Sequence, residues 1–159
     1  MTTLHDFTLT RIDGTPLPLA ALRDKAVLVV NVASRCGYTP QYVGLQKLHE
    51  ELGGRGLVVL GVPANEFGAQ EPGTNDEIAA FCESNYRVTF PLSEKVVVKG
   101  AGQHPLYRWL TASASPPGDV RWNFEKFLLD RGGKILGRFG SGVAPEAPEL
   151  RSAILAALD

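Results

Sequence analysis

The feature that most constrains this chain is a pair of buried-strand runs separated by the length of one helix. Residues 26–32 are almost wholly apolar and rich in valine, too uniform for a strand with one wet face. Residues 57–62 form a second such run, closed by Pro63. Between them Tyr42, Leu45, Leu48 and Leu52 keep helical spacing. Thr39 is the expected N-cap of that helix, Pro40 its first residue and Gly53-Gly54 its stop. Strand, helix and strand in this order make a βαβ crossover, which places two parallel strands side by side in a covered sheet.

The rest of the chain fits around that unit. Phe7, Leu9 and Ile12 lead into the turn dipeptide Asp13-Gly14, and Leu17 and Leu19 follow it, predicting an N-terminal β-hairpin. Thr74-Asn75-Asp76-Glu77 is a capping box that opens a helix through Ile78, Phe81, Cys82 and Asn85. A short strand is expected over 96–98, a short helix over 104–112 and a surface loop over 113–118. Residues 124–129 and 134–139 flank the turn Asp130-Arg131-Gly132-Gly133 as a second hairpin. A closing helix over 145–158 puts Leu150, Ile154 and Leu158 on one face. The expectation is an α/β fold over residues 1–159, one domain with a central mixed sheet flanked by helices and an extra hairpin at its N-terminus.

Composition narrows the function. Sixteen Lys and Arg stand against seventeen Asp and Glu, so there is no basic excess to drive binding to nucleic acid or to an anionic membrane. The longest apolar run, over 26–30, is far short of the roughly 20 residues a membrane span needs. The first residues carry no basic cluster before an apolar stretch, so no secretory signal is visible and a cytoplasmic address is expected. Thiols are kept reduced there, which makes Cys36 and Cys82 the residues to interrogate.

Cys36 falls between the first buried strand and the first helix. Ligand sites of open α/β sheets lie beyond such strand ends, and the N–H groups and positive pole of a helix N-terminus favour a thiolate. Arg35 adds charge beside it and Gly37 lets backbone approach. Thr39 holds the place where a dithiol motif would have its second cysteine. His5, His49 and His104 carry no signature of a cysteine hydrolase, and neither cysteine has a second ligand at metal spacing. Redox chemistry of a single thiol remains, with or without a distant partner. Cys82, 46 residues on, follows Phe81 on a partly apolar helix face, so it reads either as a core thiol or as a resolving thiol. A disulfide needs Cα atoms within about 7 Å, so the second role requires proximity in the fold or local opening of that helix.

Three stretches together resemble the glutathione peroxidase family: Asn31-Val32-Ala33-Ser34-Arg35-Cys36-Gly37-Tyr38-Thr39, Asn65-Glu66-Phe67-Gly68-Ala69-Gln70-Glu71-Pro72-Gly73 and Trp122-Asn123-Phe124-Glu125-Lys126-Phe127. The similarity runs from about residue 5 to the C-terminus, in the family's order. It implies a thioredoxin-like fold and reduction of hydrogen peroxide and of organic or lipid hydroperoxides, with no cofactor and no metal. Carried over, Cys36 is the peroxidatic residue, and Gln70, Trp122 and Asn123 complete its tetrad. Their amide and indole N–H groups donate without titrating and are suited to negative charge on sulfur or oxygen. Cys82 matches the resolving cysteine of the cysteine-containing branch, whose members usually take electrons from thioredoxin rather than glutathione. Cysteine in place of selenocysteine at 36 implies slower intrinsic chemistry. The short passage from Ala112 to Trp122 lacks the segment that builds tetramer contacts in some members, which implies a monomer. Ala64 and Glu66 depart from the common pattern outside the tetrad. Two other readings stay open: a glutathione-dependent peroxidase in which Cys82 is structural, and a peroxide sensor or disulfide relay. A peroxiredoxin is disfavoured by Ala33, and a copper-delivery protein by Pro40, each standing where that class needs another residue.

Overall fold

The computed structural model describes residues 1–159. Asp13 makes the first turn: its carboxylate accepts from the N–H and the hydroxyl of Thr15, and Gly14 takes the left-handed conformation (φ 91°) that closes it. Around it β1 (Thr8–Thr10) and β2 (Pro16–Pro18) pair antiparallel as the predicted hairpin, with Leu9 opposite Leu17.

The crossover forms as expected. β3 (Ala26–Val32), α1 (Gln41–Leu52) and β4 (Leu57–Pro63) follow in order, and β3 and β4 pair parallel from Ala26–Leu57 to Val32–Pro63. α2 (Asn75–Tyr86) and α3 (Pro105–Ser113) come next, then β5 (Lys126–Leu129), β6 (Ile135–Phe139) and α4 (Pro148–Leu158). β5 pairs antiparallel with both β3 and β6, giving a mixed sheet in the order β4-β3-β5-β6.

The sheet separates two apolar layers, and strand alternation sorts residues between them. Leu28, Val30, Val59 and Leu128 face α1, α2 and α4, where Tyr42, Leu45, Ile78, Leu150 and Ile154 cover them. Val27, Val29, Leu60, Val62 and Phe127 face the other way, under Leu106, Tyr107 and Leu110 of α3 and Leu9 and Leu17 of the hairpin. Both cysteines belong to the first layer.

Two local expectations are corrected. Thr39 does not cap α1, because its hydroxyl is used inside the preceding turn; Pro40, in helical conformation, stands at the cap. α1 ends at Leu52 with Gly53 as its C-cap, as expected, and a 3₁₀ turn (Gly53–Arg55) follows to Gly56, where φ is 109°. No strand forms over 96–98. The preceding residues reach the sheet edge instead: Leu92 bridges Gly61, and Ser93 N–H donates to Gly61 O.

Candidate active site

Residues 33–40 turn the chain from β3 into α1 through a set of short-range hydrogen bonds. Thr39 Oγ1 accepts from Cys36 N–H (3.0 Å) and donates to Ala33 O (2.8 Å), while Thr39 N–H donates back to Cys36 O. This closed loop fixes Cys36 at the carboxyl end of the central strand with its side chain 8% exposed. Its sulfur accepts one hydrogen bond, from Tyr38 N–H at 3.3 Å.

The loop after β4 comes alongside. Gln70 O accepts from Arg35 N–H (3.0 Å), and Glu71 Oε1 accepts from Ser34 N–H (3.0 Å), so two bonds join this loop to the residues just before Cys36. Gly68 and Ala69, both with positive φ, make the reversal that brings Gln70 inward. The third segment is held through Asn31, the one polar residue of β3. Its Nδ2 donates to Trp122 O (3.0 Å), and its carbonyl accepts from Phe124 N–H. Phe124 takes φ 64°, a left-handed turn that a bulky residue adopts only where its surroundings enforce it, and Asn123 is thereby set inward and fully buried.

Asn123 Nδ2 donates to Gln70 Oε1 (2.9 Å) and to Phe67 O (3.3 Å). Trp122 is half-buried, packs edge-on against Phe67 (6.0 Å between ring centres) and closes over Gly68. The structure thus joins Gln70 to Asn123, stands Trp122 beside them and ties Gln70 to the Cys36 loop. None of these three side chains donates to the Cys36 sulfur, and the indole N–H of Trp122 has no protein partner.

Cys82 lies in the middle of α2, 1% exposed, and both cysteines are free. Burial pushes its thiol up to about 11; the neighbouring Tyr42 hydroxyl opposes that shift and the Glu71 charge adds to it. Arg35 is exposed, and the histidines lie in other elements: His5 in the first 3₁₀ turn, His49 against Phe90, His104 as the N-cap of α3. No three His, Cys, Asp or Glu side chains are grouped to hold a metal ion.

Sequence reasoning passed over Asn31, Glu71 and Lys126. Each carries the same signal, a polar residue inside an apolar or motif stretch. Lys126 is wholly buried, donates to Gln41 Oε1, Ser141 O and Val143 O, and so joins the start of α1 to the loop after β6. Burial lowers its pKa to about 8.

A sequence profile of the family described as glutathione peroxidase matches residues 4–111. The chain belongs to the glutathione peroxidase family. Within that family it is 49% identical over 154 residues to the hydroperoxy fatty acid reductase gpx1 of Synechocystis sp., covering 91% of this chain and 90% of that one. It is 48% identical over 136 residues to the glutathione peroxidase-like peroxiredoxin gpx1 of Schizosaccharomyces pombe, covering 84% and 86%. Among solved structures it is similar to Trgpx in its apo form, with a TM-score of 0.79 at 36% identity over 99% of this chain and 95% of the other. A thiol:disulfide interchange protein from Chlorobium tepidum superposes with a TM-score of 0.72 at 18% identity, covering 96% and 93%, which shows the thioredoxin-like fold. In this member of the glutathione peroxidase family the profile ends at Thr111, so Trp122 and Asn123 lie beyond the match.

Proposed function

We propose that this protein is a thiol-dependent peroxidase, reducing hydrogen peroxide and organic hydroperoxides, fatty-acid hydroperoxides included. Cys36 is its peroxidatic residue and Cys82 its resolving residue. The observation that carries the reading is the setting of Cys36: a fixed sulfur at a strand end, met by a backbone N–H, beside a loop that holds Gln70 against Asn123. The names of the Synechocystis and fission-yeast relatives fit that chemistry.

In the first step the Cys36 thiolate attacks one peroxide oxygen; the O–O bond breaks, sulfur becomes sulfenic acid, and the departing oxygen takes a proton from solvent and leaves as alcohol or water. The amide of Gln70, held in place by Asn123, and the indole N–H of Trp122 stabilise the developing charge. In the second step Cys82 sulfur displaces hydroxide from the sulfenic acid and a disulfide forms. Thioredoxin then reduces that disulfide. α2 is suited to the opening this needs: of its twelve residues only Ile78 and Cys82 are buried, and it ends on Arg87 with a left-handed φ of 50°. The 159 residues act as one domain and as a monomer, in a reducing compartment such as the cytoplasm; no helix is long and apolar enough to cross a membrane.

The burial of Cys82 in an intact helix favours a second reading, in which Cys82 is structural and glutathione reduces the sulfenic acid directly. Cys82→Ser separates the two. With thioredoxin, thioredoxin reductase and NADPH, two-cysteine chemistry predicts loss of about 90% or more of turnover, because the disulfide that thioredoxin attacks no longer forms. Unchanged thioredoxin-coupled turnover, or full activity with glutathione alone, decides for the second reading.

A further inference from the structure

Glu71 is a buried carboxyl group without an ion-pair partner, placed between the two cysteines' surroundings. Its side chain is 1% exposed. Oε1 accepts from Ser34 N–H, two residues before Cys36, whereas Oε2 is buried with no hydrogen-bond partner at all. The backbone on either side is held as well. Glu71 N–H donates to Asn65 Oδ1 (2.8 Å), and Lys95 Nζ donates to Glu71 O (3.1 Å). The carboxyl group itself is held by the Cys36 loop, through Ser34, and by no residue of α2.

Opposite it is a cleft of about 180 Å³. Ser34, Arg35 and Glu71 line one side; Glu77, Ile78 and Phe81 of α2 line the other. Ile78 and Cys82 are one helical turn apart on the same buried face. Burial holds the Cys82 thiol and the Tyr42 phenol protonated, and the Glu71 carboxylate is near enough for its charge to add to that. Ile78 lines this cleft, so the turn of α2 that carries Cys82 lies next to the space between α2 and the Cys36 loop.

A protonated thiol is a poor nucleophile, and the second step needs a base to take its proton. None of the three histidines lines this cleft, whereas Glu71 does. We infer that Glu71 is the proton acceptor for Cys82 when it attacks the sulfenic acid of Cys36, an inference that rests on the two-cysteine reading above. The Cys82 S–H bond breaks and its proton passes to Glu71 Oε2. The S–S bond forms as the Cys36 S–O bond breaks, and the departing hydroxide takes the same proton and leaves as water. No external base or oxidant is needed.

Burial raises the Glu71 pKa, which strengthens it as a base; the Ser34 bonds and the charges of Lys95 and Arg35 partly offset this. Its titratable and charged neighbours are Arg35 from the Cys36 loop, Lys95 after β4, Tyr42 from α1, and Glu77 and Cys82 from α2.

The test is rapid-quench oxidation with one equivalent of hydrogen peroxide, reading sulfenic acid as its dimedone adduct and disulfide by intact mass. Glu71→Gln keeps an acceptor for Ser34 N–H but cannot take the proton. It is expected to lower the ratio of disulfide formation to sulfenic-acid formation about tenfold or more, within the usual contribution of a general base. Glu71→Asp restores part of that ratio. Wild-type disulfide formation slows on the acid side of its pH profile, and this limb is absent in Glu71→Gln. A Glu71→Gln ratio equal to wild type overturns the role of Glu71 while leaving the two-cysteine cycle standing. So does a wild-type profile with no acid limb, a result that depends on no variant folding. A wild type that never forms the disulfide overturns both.

Discussion

Asn123 does two jobs with one amide group. Its Nδ2 holds Gln70 Oε1 and Phe67 O, while its Oδ1 is buried with no partner, so the side chain is there for what it donates. Removing it leaves the buried Phe67 O and the part-buried Gln70 Oε1 without their donor. Asn123→Ala should cost about 1–3 kcal/mol of stability, measured by urea denaturation. It should also slow Cys36 oxidation about 10- to 100-fold, measured by stopped-flow with hydrogen peroxide, because Gln70 is then free to turn away. Asn123 itself was legible in the sequence, within Trp122-Asn123-Phe124. Asn31 was not. A single asparagine in a valine-rich strand shows its purpose only once the carbonyl of Trp122 is seen above it, 91 residues away along the chain. Lys126 and Glu71 were hidden for the same reason, since what surrounds a buried charge depends on segments remote in sequence.

Elements were more legible than their ends. The spacing of Tyr42, Leu45, Leu48 and Leu52 fixed α1, but its cap was misread: Thr39 serves the Cys36 turn, a tertiary demand that overrides its capping preference. The capping box of α2 formed as written, with Thr74 and Glu77 each bonding the other's backbone. α3 is capped by His104, whose Nδ1 accepts from Leu106 N–H at 3.0 Å, a bond available only to the neutral ring. Burial lowers the pKa of His104 from 6.5. Below about that value the unfolded chain takes up a proton that the folded ring resists, so this contribution to stability is lost as pH falls. His104→Asn caps the helix without titrating. Its unfolding midpoint should therefore fall less than the wild-type midpoint between pH 7 and pH 5, by thermal denaturation in matched buffers. Equal falls would remove His104 from the acid sensitivity of α3.

The whole molecule follows from one sheet with two faces and two edges. The β4 edge is covered by the chain after α2, close enough that Gly61 has no room for a side chain: a Cβ there would lie 2.6 Å from Leu92 Cδ2 and 3.1 Å from Phe90 Cε1. Gly61→Ala is expected to destabilise the fold by about 1–3 kcal/mol through overpacking, with a lower urea midpoint and an unchanged slope. No strand forms over 96–98, where one was expected. Val96 and Val98 pack on the sheet and Val96 N–H donates to Pro63 O, but the bridges to neighbouring segments are made earlier, at Leu92 and Ser93. The two faces differ in what they carry. Both sulfurs lie in the layer under α1, α2 and α4, and the layer closed by α3 and the N-terminal hairpin has neither. For anyone fixing the enzyme to an electrode or a bead, this gives the molecule a handle. A tether at exposed Arg108 on α3 attaches across the sheet from both thiols and leaves α2 free to unwind.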